Sequence, residues 1–106
     1  MKVLIIGPEE IPPNVFTSSY ASMIHTLMKD SSVEFIMSDS YGVATLAAKM
    51  LEKERYVKCT IYYSGDSPRH NFGKNYFKYK KCTTSAEVKA CLLSEADITI
   101  GNSNRN

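Results

Sequence analysis

The sequence lacks the features that mark several classes of protein. No apolar stretch approaches the roughly 18 residues of a membrane-spanning helix, and no signal peptide precedes the first apolar run. Its three cysteines, Cys59, Cys82 and Cys91, form no Cys-x-x-Cys pair and match no zinc pattern. His25 and His70 have no partner at ligand spacing. We therefore expect a cytoplasmic protein with free thiols, no membrane association, no bound metal and no separate cofactor.

A strong excess of charge of one sign is also missing. Thirteen basic and eleven acidic residues leave a net charge of +2 over 106 residues, a length that fits one domain spanning the whole chain. This balance predicts no general affinity for polyanions. Only the segment 74–81 (KNYFKYKK) is locally basic, with aromatic residues between its lysines. Such a mixture can contact nucleic acid, but we favour an exposed edge strand that its lysines protect from pairing.

Short apolar runs alternate with helix-forming segments along the chain. The runs predict strands at Val3–Gly7, Val33–Met37, Val57–Tyr63 and Asp97–Gly101. Helices are predicted from an N-cap at Asn14 to about Asp30, over Val43–Lys53, and after Thr84, where Glu87 completes a capping box.

The first of these helices carries an apolar stripe at helical spacing. Its members are Phe16, Tyr20, Met23, Ile24, Leu27 and Met28.

This alternation predicts an α/β protein with right-handed crossovers, namely a three-layer Rossmann-like fold with a mainly parallel sheet of four to five strands. Ligands of open parallel sheets bind at the carboxyl ends of the strands. Four polar, glycine-bearing loops follow the predicted strands: GPEEIPPN, SDSYG, SGDSPRHN and GNSN. We therefore expect the ligand to lie among these loops.

The SDSYG loop runs directly into the second predicted helix. Backbone N–H groups at a helix start bind anions, and Ser38, Ser40 and Gly42 would add hydroxyl groups and allow close approach of a phosphate. Alternatively, Asp39 or Ser40 merely caps the helix. The sequence leaves both interpretations open.

Three stretches carry a family resemblance that covers most of the chain. SDSYGVATLAAKML, GDSPRHNFG and SEADITIGNSN together resemble the SLOG superfamily of Rossmann-like nucleotide-binding proteins, in particular its YspA/YpsA-like branch. Gly42, Leu46 or Ala47, and Leu51 fit the family's G-x-x-x-G-x-D-x-x-A-x-x-x-L pattern. The chain departs from it at Ser38, where the family has glycine, and at Ala44, where it has aspartate. The P-G-G-x-G-T-x-x-E motif of the phosphoribohydrolases is absent.

The resemblance implies a nucleotide or nucleoside-phosphate ligand. The expected ligand-binding residues lie in the four loops, at Gly7, Pro8, Ser38, Ser40, Gly42, Arg69, Asn71, Asn102 and Ser103. Arg69 is the expected phosphate-binding cation because guanidinium groups bind phosphate in bidentate geometry. The alternative for Arg69 is a surface ion pair with Asp66.

A hydrolytic function is the second interpretation. Cleavage of an N-glycosidic bond passes through an oxocarbenium-like transition state that a carboxylate can stabilise or attack. Glu9 or Glu10, with Asp39 as a second carboxylate, are the candidate catalytic residues, although both glutamates are also compatible with a solvated loop. The missing family motif favours binding without turnover. Because an exposed sheet edge invites a partner, we also expect a homo-oligomer.

Overall fold

The computed structural model describes residues 1–70 and 76–101. Five parallel strands form one sheet in the order β4-β3-β2-β1-β5. The strands are β1 Lys2–Ile5, β2 Glu34–Ser38, β3 Cys59–Ser64, β4 Lys78–Cys82 and β5 Ile98–Ile100. The helices are α1 Pro13–Phe16, α2 Ser22–Leu27, α3 Val43–Lys53 and α4 Ser85–Glu95, with a π-helical segment, Thr17–Ala21, between α1 and α2. The predicted α/β, Rossmann-like fold class is confirmed.

Alternate residues of β1, β2 and β3 enter two separate apolar clusters, one on each face of the sheet. In β1, Val3 and Ile5 join the cluster that contains the buried residues of α1, α2 and α3, whereas Leu4 joins the cluster of α4. This follows from the two-residue period of side chains along a strand. Helices therefore cover both faces of the sheet, as the near-continuous apolar strands require.

The first helical region differs from its prediction. Pro12, not Asn14, is the N-cap, and Pro13 occupies the first helical position, where a missing N–H costs nothing and the fixed φ suits a helix. The wide π-helical turn then changes the angular position of the residues that follow it. Ile24 is fully buried as expected, but Met23 is 53% exposed, so its assignment to the apolar stripe is wrong.

The other two predicted helices form where expected. α3 has the predicted bounds and packs with small residues, Ala44, Ala47 and Ala48, buried against the sheet. At the start of α4 the Thr84 hydroxyl accepts a hydrogen bond from the Glu87 N–H at 3.1 Å. The Glu87 carboxylate accepts the N–H of Thr83 at 2.8 Å, one residue before the position that a capping box normally uses.

The basic segment contributes the edge strand β4, as favoured from the sequence. Lys78, Lys80 and Lys81 are exposed, which hinders pairing with another strand. Lys80 Nζ also lies 3.5 Å from Glu95 Oε2, and Tyr62 donates its hydroxyl hydrogen to the same carboxylate. The tyrosine hydroxyl and Lys2 lower the pKa of Glu95, and the carboxylate connects the end of α4 to the sheet. Within residues 1–70 and 76–101, no helix is long and apolar enough to cross a bilayer.

Substitution of Gly42 tests the close packing between the loop that follows β1 and the loop that follows β2. Its φ is +82°, and a Cβ atom at this position would lie 2.3 Å from the Pro8 carbonyl oxygen. We expect Gly42→Ala to lower the free energy of unfolding by about 3 kcal/mol or more, through strain and steric overlap together, in urea denaturation.

Gly65→Ala is the matched control. Gly65 has a similar φ of +88° but no atom within 4 Å of an added Cβ, so only the conformational cost of about 1–2 kcal/mol applies. Equal losses in the two variants would show that the close approach at Gly42 contributes nothing.

Candidate functional site

A pocket of about 600 Å³ lies at the carboxyl ends of β1, β2 and β3, beside α4. Its polar lining residues come from the strand ends, the loops and α4: Glu9, Ser38, Asp39, Ser40, Ser64, Arg69, Ser85 and Lys89, next to Gly7 and Pro8 of the first loop. Its apolar lining comes from β1 and α4: Leu4, Ile6, Val88, Leu92 and Leu93. The pocket thus has one polar and one apolar part.

The order of the strands explains where the pocket lies. The chain moves outward from β1 through β2 and β3 to β4, and α4 then returns it to β5 on the other side of β1. The direction of winding therefore reverses at β1. Polar loops diverge at such a reversal, and the crevice that they leave is the usual ligand site of open α/β sheets.

Ser38 and Ser40 contact each other at the edge of this pocket. Their hydroxyl oxygens are 2.7 Å apart, and the Ser40 N–H donates to Ser38 Oγ at 3.3 Å. Neither serine caps α3, because the N-cap is Gly42 and the helix has no side-chain cap. The alternative that Asp39 or Ser40 caps this helix is therefore wrong. Both hydroxyl groups line the pocket.

The start of α3 is partly covered by the loop that follows β1. The Val43 N–H donates to the Pro8 carbonyl at 3.1 Å, and the backbone of Pro8 and Glu9 lies where a Cβ of residue 42 would be. Gly42 thus has a packing function between two loops. It does not belong to the residues that line the pocket.

Arg69 joins the three loops at the mouth of the pocket. Its backbone N–H donates to Asp39 Oδ2 at 2.9 Å, and its guanidinium Nη2 lies 3.4 Å from Asp39 Oδ1. Nη1 is 3.9 Å from Glu9 Oε2. The Tyr41 hydroxyl donates to the Arg69 carbonyl at 3.0 Å, and the guanidinium carbon lies 5.9 Å from the Tyr41 ring centre. The ion-pair partners of Arg69 in the structure are therefore Asp39 and Glu9, instead of the predicted alternative, Asp66.

The carboxylate of Asp39 is the buried member of this cluster. Asp39 is only 6% exposed, and a buried carboxylate is stable only when hydrogen bonds and opposite charge compensate its lost hydration. Arg69 supplies both. Next to it, burial lowers the pKa of His70, although the Asp39 charge opposes this effect.

The structure brings most of the predicted site residues together. Those that line the pocket are Gly7, Pro8, Glu9, Ser38, Asp39, Ser40 and Arg69. Glu10 is exposed and is not a lining residue. Asn71, Asn102 and Ser103 lie outside the described residues.

Sequence reasoning missed every residue that α4 contributes to the pocket. Ser85, Lys89 and Leu93 recur at intervals of four residues and so share one face of the helix. That spacing was visible in the sequence. What was not visible is that this face borders the strand ends, which depends on the crossover to β5.

Comparison with known proteins gives no match: no protein-family model, curated protein or solved structure is significantly similar to the chain. The resemblance to the SLOG superfamily therefore stays a prediction from motifs. Self-association and the cellular location also stay predictions.

The pairing of Asp39 with Arg69 can be tested by a double-mutant cycle. Asp39→Ala should lower the free energy of unfolding by about 1–3 kcal/mol, because it removes two hydrogen bonds to a charged group. Arg69→Ala keeps the backbone N–H but removes the charge that compensates the buried Asp39 carboxylate, so it should cost a similar amount. The two changes should be non-additive by about 0.5 kcal/mol or more in urea denaturation.

Asp66→Ala serves as the control for this cycle. Asp66 is an exposed acid in the same loop, and its removal should change stability by no more than about 0.5 kcal/mol. Additive effects of Asp39→Ala and Arg69→Ala would contradict the observed pairing.

Proposed function

We propose that the protein binds a nucleotide or nucleoside phosphate in the pocket at the carboxyl ends of the sheet and holds it without changing it. One observation carries the proposal: serine hydroxyls from two strand ends, the SDSYG loop and the start of α4 line the same pocket as an apolar surface. A phosphorylated nucleoside needs both, because its phosphate and sugar require hydrogen bonds and its base is largely apolar on its faces.

The size of the pocket is compatible with such a ligand. Its volume of about 600 Å³ lies inside the range of about 300–1,000 Å³ that is typical of small-molecule sites. Leu4 and Leu92 are almost fully buried behind the apolar part of the pocket, whereas Leu93 is 48% exposed. A planar base packed against Leu93 would bury apolar area on both partners.

The charges of the lining favour a small ligand over a polyanion. Glu9 and Asp39 balance Arg69 and Lys89, so the pocket has no large excess of positive charge to attract a polyanion. The hydroxyl groups of Ser38, Ser40, Ser64 and Ser85 are neutral donors. This composition fits a monophosphate better than nucleic acid.

The motif resemblance points in the same direction. It implies nucleotide binding, and two of the three departures noted above, Ala44 in place of aspartate and the missing phosphoribohydrolase motif, favour binding over turnover. Ala44 is 5% exposed and packs in the core between α3 and the sheet, so at this position the chain has a packing residue.

A thermal-shift screen followed by calorimetry tests the proposal. The probes are AMP, GMP, CMP and UMP, their nucleosides, and inorganic phosphate. A ligand at one hundred times its Kd should stabilise the native state by about 2.7 kcal/mol, and a clear rise in Tm is expected for at least one monophosphate. No rise and no heat of binding with any monophosphate would refute the proposed function.

Two variants of α4 locate the bound molecule. Ser85→Phe places a large side chain in the pocket and should abolish the shift, whereas Ser94→Phe adds the same group at the exposed far end of the helix and should preserve it. Equal shifts in both variants would place the ligand elsewhere.

A hydrolase that cleaves the N-glycosidic bond is the second candidate. The observation that favours it is that two carboxylates, Glu9 and Asp39, line the same pocket. Asp39 is held by Arg69, whereas the side chain of Glu9 is 62% exposed and has only a long contact to the guanidinium. Glu9 is therefore the carboxylate with the freedom to approach a sugar.

This candidate is tested by incubating the protein with the same monophosphates and measuring the released free base by chromatography. Glu9→Gln should reduce turnover at least about 100-fold if its carboxylate acts on the sugar. Glu10→Gln is the control because Glu10 does not line the pocket, and it should retain activity. Intact ligand after prolonged incubation with the unmodified protein would exclude the reaction.

A further inference from the structure

Arg69 is a poor source of free positive charge in the pocket. Asp39 and Glu9 lie 3.4 Å and 3.9 Å from its guanidinium nitrogens, so the three charged groups together sum to one negative charge. An incoming anion would have to compete with two carboxylates for this guanidinium. The contacts of Arg69 thus serve mainly to join the loops.

Lys89 on α4, unlike Arg69, is not paired with a carboxylate among the described residues. It is exposed and lines the pocket, and within residues 1–70 and 76–101 no carboxylate lies at ion-pair distance from it. Its charge is thus available to a ligand. A lysine ammonium binds phosphate as a point charge on a flexible stem.

The residues of α4 that line the pocket change from polar to apolar along the helix. Ser85, Lys89 and Leu93 follow one another at four-residue intervals along the helix face that lines the pocket, and each step advances about 6 Å along the axis. The helix starts next to the carboxyl end of β4 and runs back along the sheet. The polar residues therefore lie near the strand ends, and the leucines lie farther along the sheet.

We infer that Lys89, and not Arg69, is the residue that recognises the anionic group of the ligand. Ser85 assists it, and the base lies farther along α4 against the exposed Leu93. This inference rests on the proposed function and extends it, because it makes Lys89 the determinant that distinguishes a nucleoside monophosphate from the uncharged nucleoside.

Calorimetry on Lys89→Ala tests the assignment, with AMP, GMP, CMP and UMP and their nucleosides as probes. Loss of one charged contact at an exposed site should weaken monophosphate binding about tenfold and leave nucleoside binding within about twofold. The variant should also show a weaker salt dependence of monophosphate binding, because one ionic contact is lost. Lys89→Arg should restore most of the affinity.

Lys53→Ala is the matched control, because Lys53 is an exposed lysine in the last turn of α3 and does not line the pocket. It should bind all probes like the unmodified protein. Unchanged monophosphate affinity in Lys89→Ala would overturn the inference while leaving the proposed function intact. Equal weakening of monophosphate and nucleoside would also overturn it, since the effect would then not concern charge. Failure of the unmodified protein to bind any probe would refute both.

Discussion

The buried carboxylate of Asp39 is the constraint on which the geometry of the pocket depends. A charge that is only 6% exposed must be compensated inside the protein, and Arg69 compensates it with both its backbone N–H and its guanidinium. This fixes the loop after β3 against the loop after β2. The same guanidinium approaches Glu9, so the loop after β1 is included. Asp39 and Arg69, both predicted as site residues, thus also have a structural function, because their contact joins the loops.

The two faces of the sheet differ in the space that they leave at the strand ends. On the α3 side, Gly42 allows the backbone of Pro8 and Glu9 to approach closely, and the first N–H of the helix is already bonded. On the α4 side, the crossover from β4 to β5 leaves a pocket next to β1. Close packing on one side and a crevice on the other explain why the ligand is proposed to contact α4, although the sequence motif pointed to the start of α3.

Predictions from the sequence were accurate where the structure depends on interactions between residues close together in the chain. The bounds of α3 and the cap of α4 depend on residues within one or two turns, and both were predictable. The N-cap at Asn14 was wrong because Pro12 and Pro13 begin the helix directly. Met23 was misplaced because the π-helical segment Thr17–Ala21 lies between Phe16 and Met23, whereas the predicted stripe assumed an uninterrupted α-helix.

The alternation of apolar runs and helix-forming segments by itself determined the α/β class, the parallel sheet and the polar loops at the strand ends, because side-chain period and connection length are local properties. Only the tertiary structure decided that Arg69 pairs with Asp39, that Gly42 packs against Pro8, and that Lys89 faces the pocket. These contacts join residues from different elements. Their existence depends on the order of the strands and on the side to which α4 returns, which one chain's local pattern does not specify.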